Sequence, residues 1–192
     1  MGDQFTYQNY VIKKKILALV GAKFHVSNPA GEIIMFSQQK ALKLKEDIRI
    51  FTGEDMTTEL VSIHARSIMD ASAVYDIADT QTGEKIGGLK RKGMQSILQD
   101  EWAILDVNDT EIGTIKEDNM ALALVRRFAT NLIPQTFHIT MNGKEIGFFK
   151  QNINPLVTVL NIDLSKDTDN LLDKRLGVAA GLLLCAVEGK QG

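Results

Sequence analysis

Twelve consecutive residues near the C-terminus, Leu176 to Val187, carry no charge on any helical face. A helix that is apolar all round is either buried in a large core or placed in a membrane. Length separates the two. A spanning helix takes about 20 residues, whereas this run, at 1.5 Å per residue, covers only ~18 Å. The run therefore predicts a helix hidden inside the protein. Asp167, Thr168, Asp169 and Asn170 supply N-cap residues. Leu171 to Arg175 are expected to open the helix, and Glu188-Gly189-Lys190 to stop it. Gly177 and Gly181 repeat the spacing of membrane-helix dimers. In so short a run they predict instead a close approach of strand backbone to helix. Each glycine costs about 1 kcal/mol of helix propensity, so tertiary packing has to hold this helix together.

What surrounds it is legible as a repeated hairpin. The first copy runs Lys23 to Ser27, turns at Asn28-Pro29-Ala30-Gly31 and resumes at Glu32-Ile33-Ile34. The second runs Ala73 to Ile77, turns at Thr80-Gln81-Thr82-Gly83 and resumes at Glu84-Lys85-Ile86-Gly87. The third runs Trp102 to Val107, turns at Asn108-Asp109-Thr110 and resumes at Glu111-Ile112-Gly113. The fourth runs Thr136 to Met141, turns at Asn142-Gly143 and resumes at Lys144-Glu145-Ile146-Gly147. Asn-Gly between alternating strands is a strong hairpin signal, because both residues accept positive φ. The copies are unevenly spaced, which argues against a propeller or solenoid and for one meandering sheet that closes. Ile-Gly at positions 86–87, 112–113 and 146–147 predicts a bulge or bend after each turn, as a barrel needs. Further strands are expected over Tyr10 to Val20, Ile48 to Thr52, Leu60 to Arg66 and Val157 to Leu164, for roughly ten to twelve in all. A short helix is expected from Asp118 to Ala129, with Met120, Leu124 and Phe128 on one face and Pro134 ending the passage.

The chain of 192 residues suits one domain, 1–192. Its formal charge of -2 predicts no global attraction to nucleic acid, so any anion site is a local patch. A single cysteine excludes an intrachain disulfide and fits a reducing, cytoplasmic setting. Met1 to Thr6 lack the apolar core of a secretion signal, although they match the loose myristoylation pattern.

Barrel hairpins followed by Asp169-Asn170-Leu171-Leu172-Asp173-Lys174-Arg175-Leu176-Gly177-Val178 and the apolar run to Glu188 resemble the LURP-one-related family. That family shares a superfamily with phospholipid scramblases and the tubby C-terminal domain. Tyr10-Val11-Ile12-Lys13-Lys14-Lys15, Phe24-His25-Val26 with Gly31-Glu32-Ile33, and Phe149-Lys150-Gln151-Asn152-Ile153-Asn154-Pro155 fit the same resemblance. It covers nearly the whole chain and implies a twelve-stranded closed antiparallel barrel around a central, buried C-terminal helix. It implies no single activity. The phosphoinositide pocket of tubby domains has no residue-by-residue match here. The cysteine-rich and calcium-binding segments of scramblases are not matched either.

No nucleophile elbow, Walker loop or dinucleotide fingerprint occurs. His25, His64 and His138 each sit beside core-type residues and are expected to point outward, without metal-ligand spacing. Cys185, among leucines, reads as an inert buried thiol. Glu54, Asp55 and Glu59 read as solvated loop carboxylates, and the sequon at Asn108 as a turn. Two neighbouring cations can take a phosphate headgroup. The candidates are Lys13 and Lys15, Lys90 and Lys92, and Arg126 and Arg127; Lys90 and Lys92 are expected to share a strand face with Arg91 opposite. Lys40, Lys43 and Lys45 are further basic groups. The expectation is a non-catalytic binding or scaffold module without cofactor. Its partner would be an anionic phospholipid, an acyl chain or a protein, and it would carry no transmembrane segment. The alternatives are a scramblase-like membrane protein and an enzyme of unrecognised class.

Overall fold

A computed structural model describes residues 3–17, 21–39, 47–66, 73–92, 100–118, 135–152 and 157–188. A 3-10 turn at Asp3–Phe5 precedes twelve strands. These are β1 (Asn9–Leu17), β2 (Gly21–Ser27), β3 (Ile33–Gln39), β4 (Asp47–Phe51), β5 (Glu59–Ala65), β6 (Val74–Asp79), β7 (Lys85–Arg91), β8 (Glu101–Leu105), β9 (Glu111–Glu117), β10 (Gln135–Met141), β11 (Lys144–Asn152) and β12 (Val157–Asp163). A helix, α1 (Lys174–Glu188), follows. Each strand pairs antiparallel with its sequence neighbours, and β1 pairs with β12, so the sheet closes into a barrel without a free edge. The mainly β, twelve-stranded closed barrel expected from the sequence is the fold.

Closure depends on one repeated device. In the hairpins β2–β3, β4–β5, β6–β7, β8–β9 and β10–β11 the register slips by one residue just past the turn. The extra residues are Ile34, Leu60, Ile86, Ile112 and Ile146. A bulge of this kind bends its strand and adds twist. The glycine that follows the last three has a separate cause. A Cβ on Gly87 would stand 2.6 Å from the Leu105 carbonyl oxygen, and on Gly113 or Gly147 it would strike the carbonyls of Thr140 and Asp163. The next strand passes too close there for any side chain. Ile34-Met35 and Leu60-Val61 bulge without glycine, so bending needs the extra residue and close passage needs the glycine.

α1 runs through the barrel. Residues 176–187 are all buried, and α1 meets β1 and β12 on one side and β5 and β7 on the other. Each fully buried leucine contributes roughly 1.5–3 kcal/mol. Gly181 faces the β1–β12 wall, where a Cβ would lie 2.9 Å from Ile162, 3.0 Å from Ile12 and 3.2 Å from Leu160. The small residue sets how near these side chains come; side chains, not the strand backbone that the spacing was expected to admit, fill the space at both Gly177 and Gly181. The helix begins later than expected. Asn170 adopts φ +49, which breaks helical geometry, and Asp173 caps the start by accepting the Arg175 amide at 2.9 Å. Asp167 caps the preceding turn instead, accepting Leu171 N at 2.8 Å, Leu172 N at 3.2 Å and the Lys174 ammonium at 3.1 Å. The third hairpin differs too: β8 ends at Leu105, and Val107 is exposed in the turn. Apart from Asp118, the helix expected from Asp118 to Ala129 lies outside the described residues, as do Pro134, Arg126 and Arg127.

Candidate functional site

The barrel order separates the predicted cations. Lys13 and Lys15 lie on β1, Lys90 on β7 and Lys92 just past its end. In a ring of twelve strands β1 and β7 are six apart by either route. The two groups stand on opposite walls and cannot share a ligand. Lys40, Lys43 and Lys45 also fall outside the described residues.

The wall around β7 is neutralised from within. Lys92 meets Glu111 at 2.6 Å and Glu101 at 3.2 Å, and Lys116 reaches Glu101 at 3.7 Å. These bonds, Glu111 first, raise the Lys92 pKa. Beside them Arg66 pairs with Asp76 and Asp109, and Lys85 with Asp109 at 2.6 Å and Asp76 at 3.2 Å. The Arg66 guanidinium, more than Lys85, holds the Asp109 carboxyl well below the ordinary range. Lys90 is exposed on the outer face while Arg91 turns inward, as alternation required. Arg91 binds Asp100 at 2.9 Å and lies 5.8 Å from the Trp102 ring centre. Cations on this wall, Lys90 aside, already have carboxylates.

The wall of β11, β12 and β1 is different. Tyr10, Ile12 and Lys14 face inward, so Val11, Lys13 and Lys15 face outward. Lys13 pairs in register with Val159 and His25, and Lys15 with Val157 and Lys23. Two strands from β1, Lys150 is exposed on β11 beside Asn161. β1 contains no aspartate or glutamate, and the acids of β11 and β12, Glu145 and Asp163, stand at the end of the wall away from Lys13 and Lys15. Among the described residues Lys13, Lys15 and Lys150 take part in no ion pair. Glu54 reaches the rim only, at Lys23 (3.2 Å) and His25 (2.8 Å). Lys15 directly opposite Lys23 is a like-charge cross-strand pair, which costs stability. Val11, Val157 and Val159 are half-buried between the lysines. Lys150 escaped the sequence reading because it is a lone cation, and only the barrel order brings it to Lys13.

No protein-family model, curated protein or solved structure matches the chain.

The inner face holds a second set of polar groups that sequence reading missed. Lys14 is 4% exposed and donates to the Cys185 carbonyl at 2.6 Å, in the last turn of α1. A cation suits the negative end of a helix. Asp100, Glu117 and Gln151 are also buried at that end of the barrel. Glu117 accepts the Asp100 amide at 3.3 Å and the Gln135 side-chain amide at 3.4 Å. The signal was present, since Lys14 shares strand parity with Tyr10 and Ile12. These residues are buried, and Lys14 serves the helix terminus.

Other candidates resolve structurally. His25 and His138 lie on the outer face, hydrogen-bonded to Glu54 and Glu145 respectively, and His64 is exposed. Cys185 is buried. Asp55 accepts the Thr57 hydroxyl at 3.0 Å within the loop, whereas Glu59, expected as a solvated loop residue, opens β5 and takes Arg49 at 2.9 Å, so both carboxylates bind their own chain. At Asn108, the Asp106 carboxylate orders the turn by accepting the Asn108 and Thr110 amides, both at 2.8 Å. Among the described residues no group of three His, Cys, Asp or Glu is placed to hold a metal, and no helix is long and apolar enough to cross a membrane. A shallow depression of about 270 Å³, lined by Asp3, Gln4, Tyr7, Ile34 and Thr52, brings no catalytic set together.

Proposed function

We propose that this protein is a non-catalytic binding module whose outer β11–β12–β1 wall takes an anionic ligand through Lys13 and Lys15. The same proposal takes the chain as a LURP-one-related barrel. One observation carries it: among the described residues Lys13, Lys15 and Lys150 take part in no ion pair, and the acids of this wall, Glu145 and Asp163, stand at its other end, whereas the opposite wall neutralises nearly all of its own. Unpaired neighbouring lysines attract phosphate or carboxylate groups and give salt-dependent association. The interior is filled by α1, so a ligand is met from outside. A scramblase-like action would require α1 to leave a position in which residues 176–187 are all buried. That makes the binding reading the better one.

The test is retention of the full chain on an immobilised heparin column under a salt gradient. The Lys13→Glu/Lys15→Glu variant is expected to elute at clearly lower salt than wild type. A Lys90→Glu/Lys116→Glu variant carries the same change in net charge on the opposite wall and is expected to shift much less. Equal shifts for the two variants would reduce the effect to net charge and overturn the proposal.

A further inference from the structure

The lysines of the β11–β12–β1 wall do not converge. Strands stand about 4.8 Å apart and residues advance about 3.4 Å along each. Lys13 and Lys15 are thus about 7 Å apart, and Lys150, two strands over and two residues displaced from the Lys13 row, about 12 Å from Lys13. The same count puts Lys150 about 17 Å from Lys15. The wall of a barrel is convex, so side chains splay outward and their ammonium groups stand farther apart still. A single phosphate cannot engage all three. Between them lie Val11, Val157 and Val159, half-buried, with Asn152 and Asn161 as the neutral polar members. At the edge, Lys23 is already paired with Glu54 at 3.2 Å, its Nζ 5.7 Å from the Phe36 ring centre.

A spread of cations around a low apolar patch, with Glu145 and Asp163 confined to one end of the wall, matches an extended array of negative charge with an apolar layer beneath it. We infer that this wall is a membrane-contact face, laid flat on a bilayer surface rich in anionic phospholipid. Lys13, Lys15 and Lys150 meet separate headgroups there, and Val11, Val157 and Val159 press into the interfacial layer. The inference rests on the binding reading above and deepens it from an anionic ligand to an anionic surface. It adds Lys150 and the valines to the contact set. A discrete soluble ligand would need convergent donors, and Lys13, Lys15 and Lys150 do not converge.

The experiment is co-sedimentation of the full chain with phosphatidylcholine vesicles, with and without roughly 30 mol % phosphatidylserine. Binding is expected only to the anionic vesicles. Each of Lys13→Gln, Lys15→Gln and Lys150→Gln should weaken it about fivefold, the worth of one lysine at a charged bilayer surface. Lys90→Gln on the opposite wall should change it less than about twofold. Val159→Asn, at unchanged charge and with an unchanged melting temperature, should also weaken it. Soluble glycerophosphoserine should not compete. If glycerophosphoserine competes, or if Lys150→Gln and Val159→Asn leave binding intact, the flat face is wrong and a discrete site at Lys13 and Lys15 takes its place. If anionic vesicles are ignored while heparin retention still depends on Lys13 and Lys15, the membrane inference falls and the binding module stands. Failure of both assays removes both.

Discussion

The two walls of this barrel solve the problem of surface charge in opposite ways. Across β5 to β9, Arg66, Lys85, Lys92 and Lys116 each meet carboxylates from neighbouring strands. Across β11, β12 and β1, Lys13, Lys15 and Lys150 meet none among the described residues, and Lys15 faces Lys23 instead. Both walls rest on the same helix through the same kind of inward-facing residue. The outer charge pattern is therefore independent of the core, and the β1 wall has more charge left over for another molecule than the β7 wall, where Lys90 alone among the described cations lacks a carboxylate. Cross-strand pairs of opposite sign add modest stability, and like pairs subtract it. The β1 wall accepts that cost.

The largest expected effect removes the support the walls share. Ending the chain before Leu171 should expose the inner face of both and produce aggregation. A truncated chain that unfolds cooperatively in a denaturant titration would show that the walls do not depend on α1. Leu182→Ala, a milder form of the same cut, should cost about 2–5 kcal/mol in chemical denaturation.

Lys14 separates inside from outside on one strand. Lys14→Met should destabilise by about 1–3 kcal/mol, because the Cys185 carbonyl loses its buried donor. Lys13→Met, one residue away, should change stability by less than ~0.5 kcal/mol. Equal effects in urea titrations would erase the distinction between the faces.

A smaller effect is expected from pH, and only on the paired wall. Arg66 holds the Asp76 carboxyl below its ordinary value in the folded protein. Such a group stabilises fully above its unfolded pKa of about 3.9 and loses that contribution as pH falls through the lower folded value. Asp76→Asn should therefore lower the melting temperature at pH 6 and make little difference at strongly acidic pH. Its size at this half-exposed pair is at most about 1 kcal/mol. A pH-independent difference would deny the network its electrostatic role. The smallest change should have the opposite sign. Lys15→Thr relieves the repulsion with Lys23 and should raise stability by a few tenths of a kcal/mol, up to ~1, while weakening heparin retention. A loss of stability would mean that Lys15 has a structural partner.

Much of the fold was legible in local pattern. Four turns, the bulges after Ile86, Ile112 and Ile146, and the buried helix each follow from short-range rules of backbone geometry and polarity. Two of the five bulges, at Ile34 and Leu60, have no glycine to mark them and came only from pairing registers. The start of α1 was misplaced because Asp167 and Asn170 are good capping residues for a turn as well as for a helix. Two of the three lysines of the candidate wall were legible, since Lys13 and Lys15 stand two residues apart on one strand. Lys150 was not, because it lies 135 residues beyond Lys15 and nothing local ties it to β1.

The amino-acid order by itself determined the strand alternation, the hairpins and the fact that residues 176–187 must be hidden, because these depend on contacts between near neighbours and on solvent. Only the tertiary structure decided which cations stand together. Closing twelve strands set β1 against β12 and placed β7 on the far side. That decision rests on pairing between distant segments, whose register is set by the curvature of the whole sheet around its helix and by no residue alone.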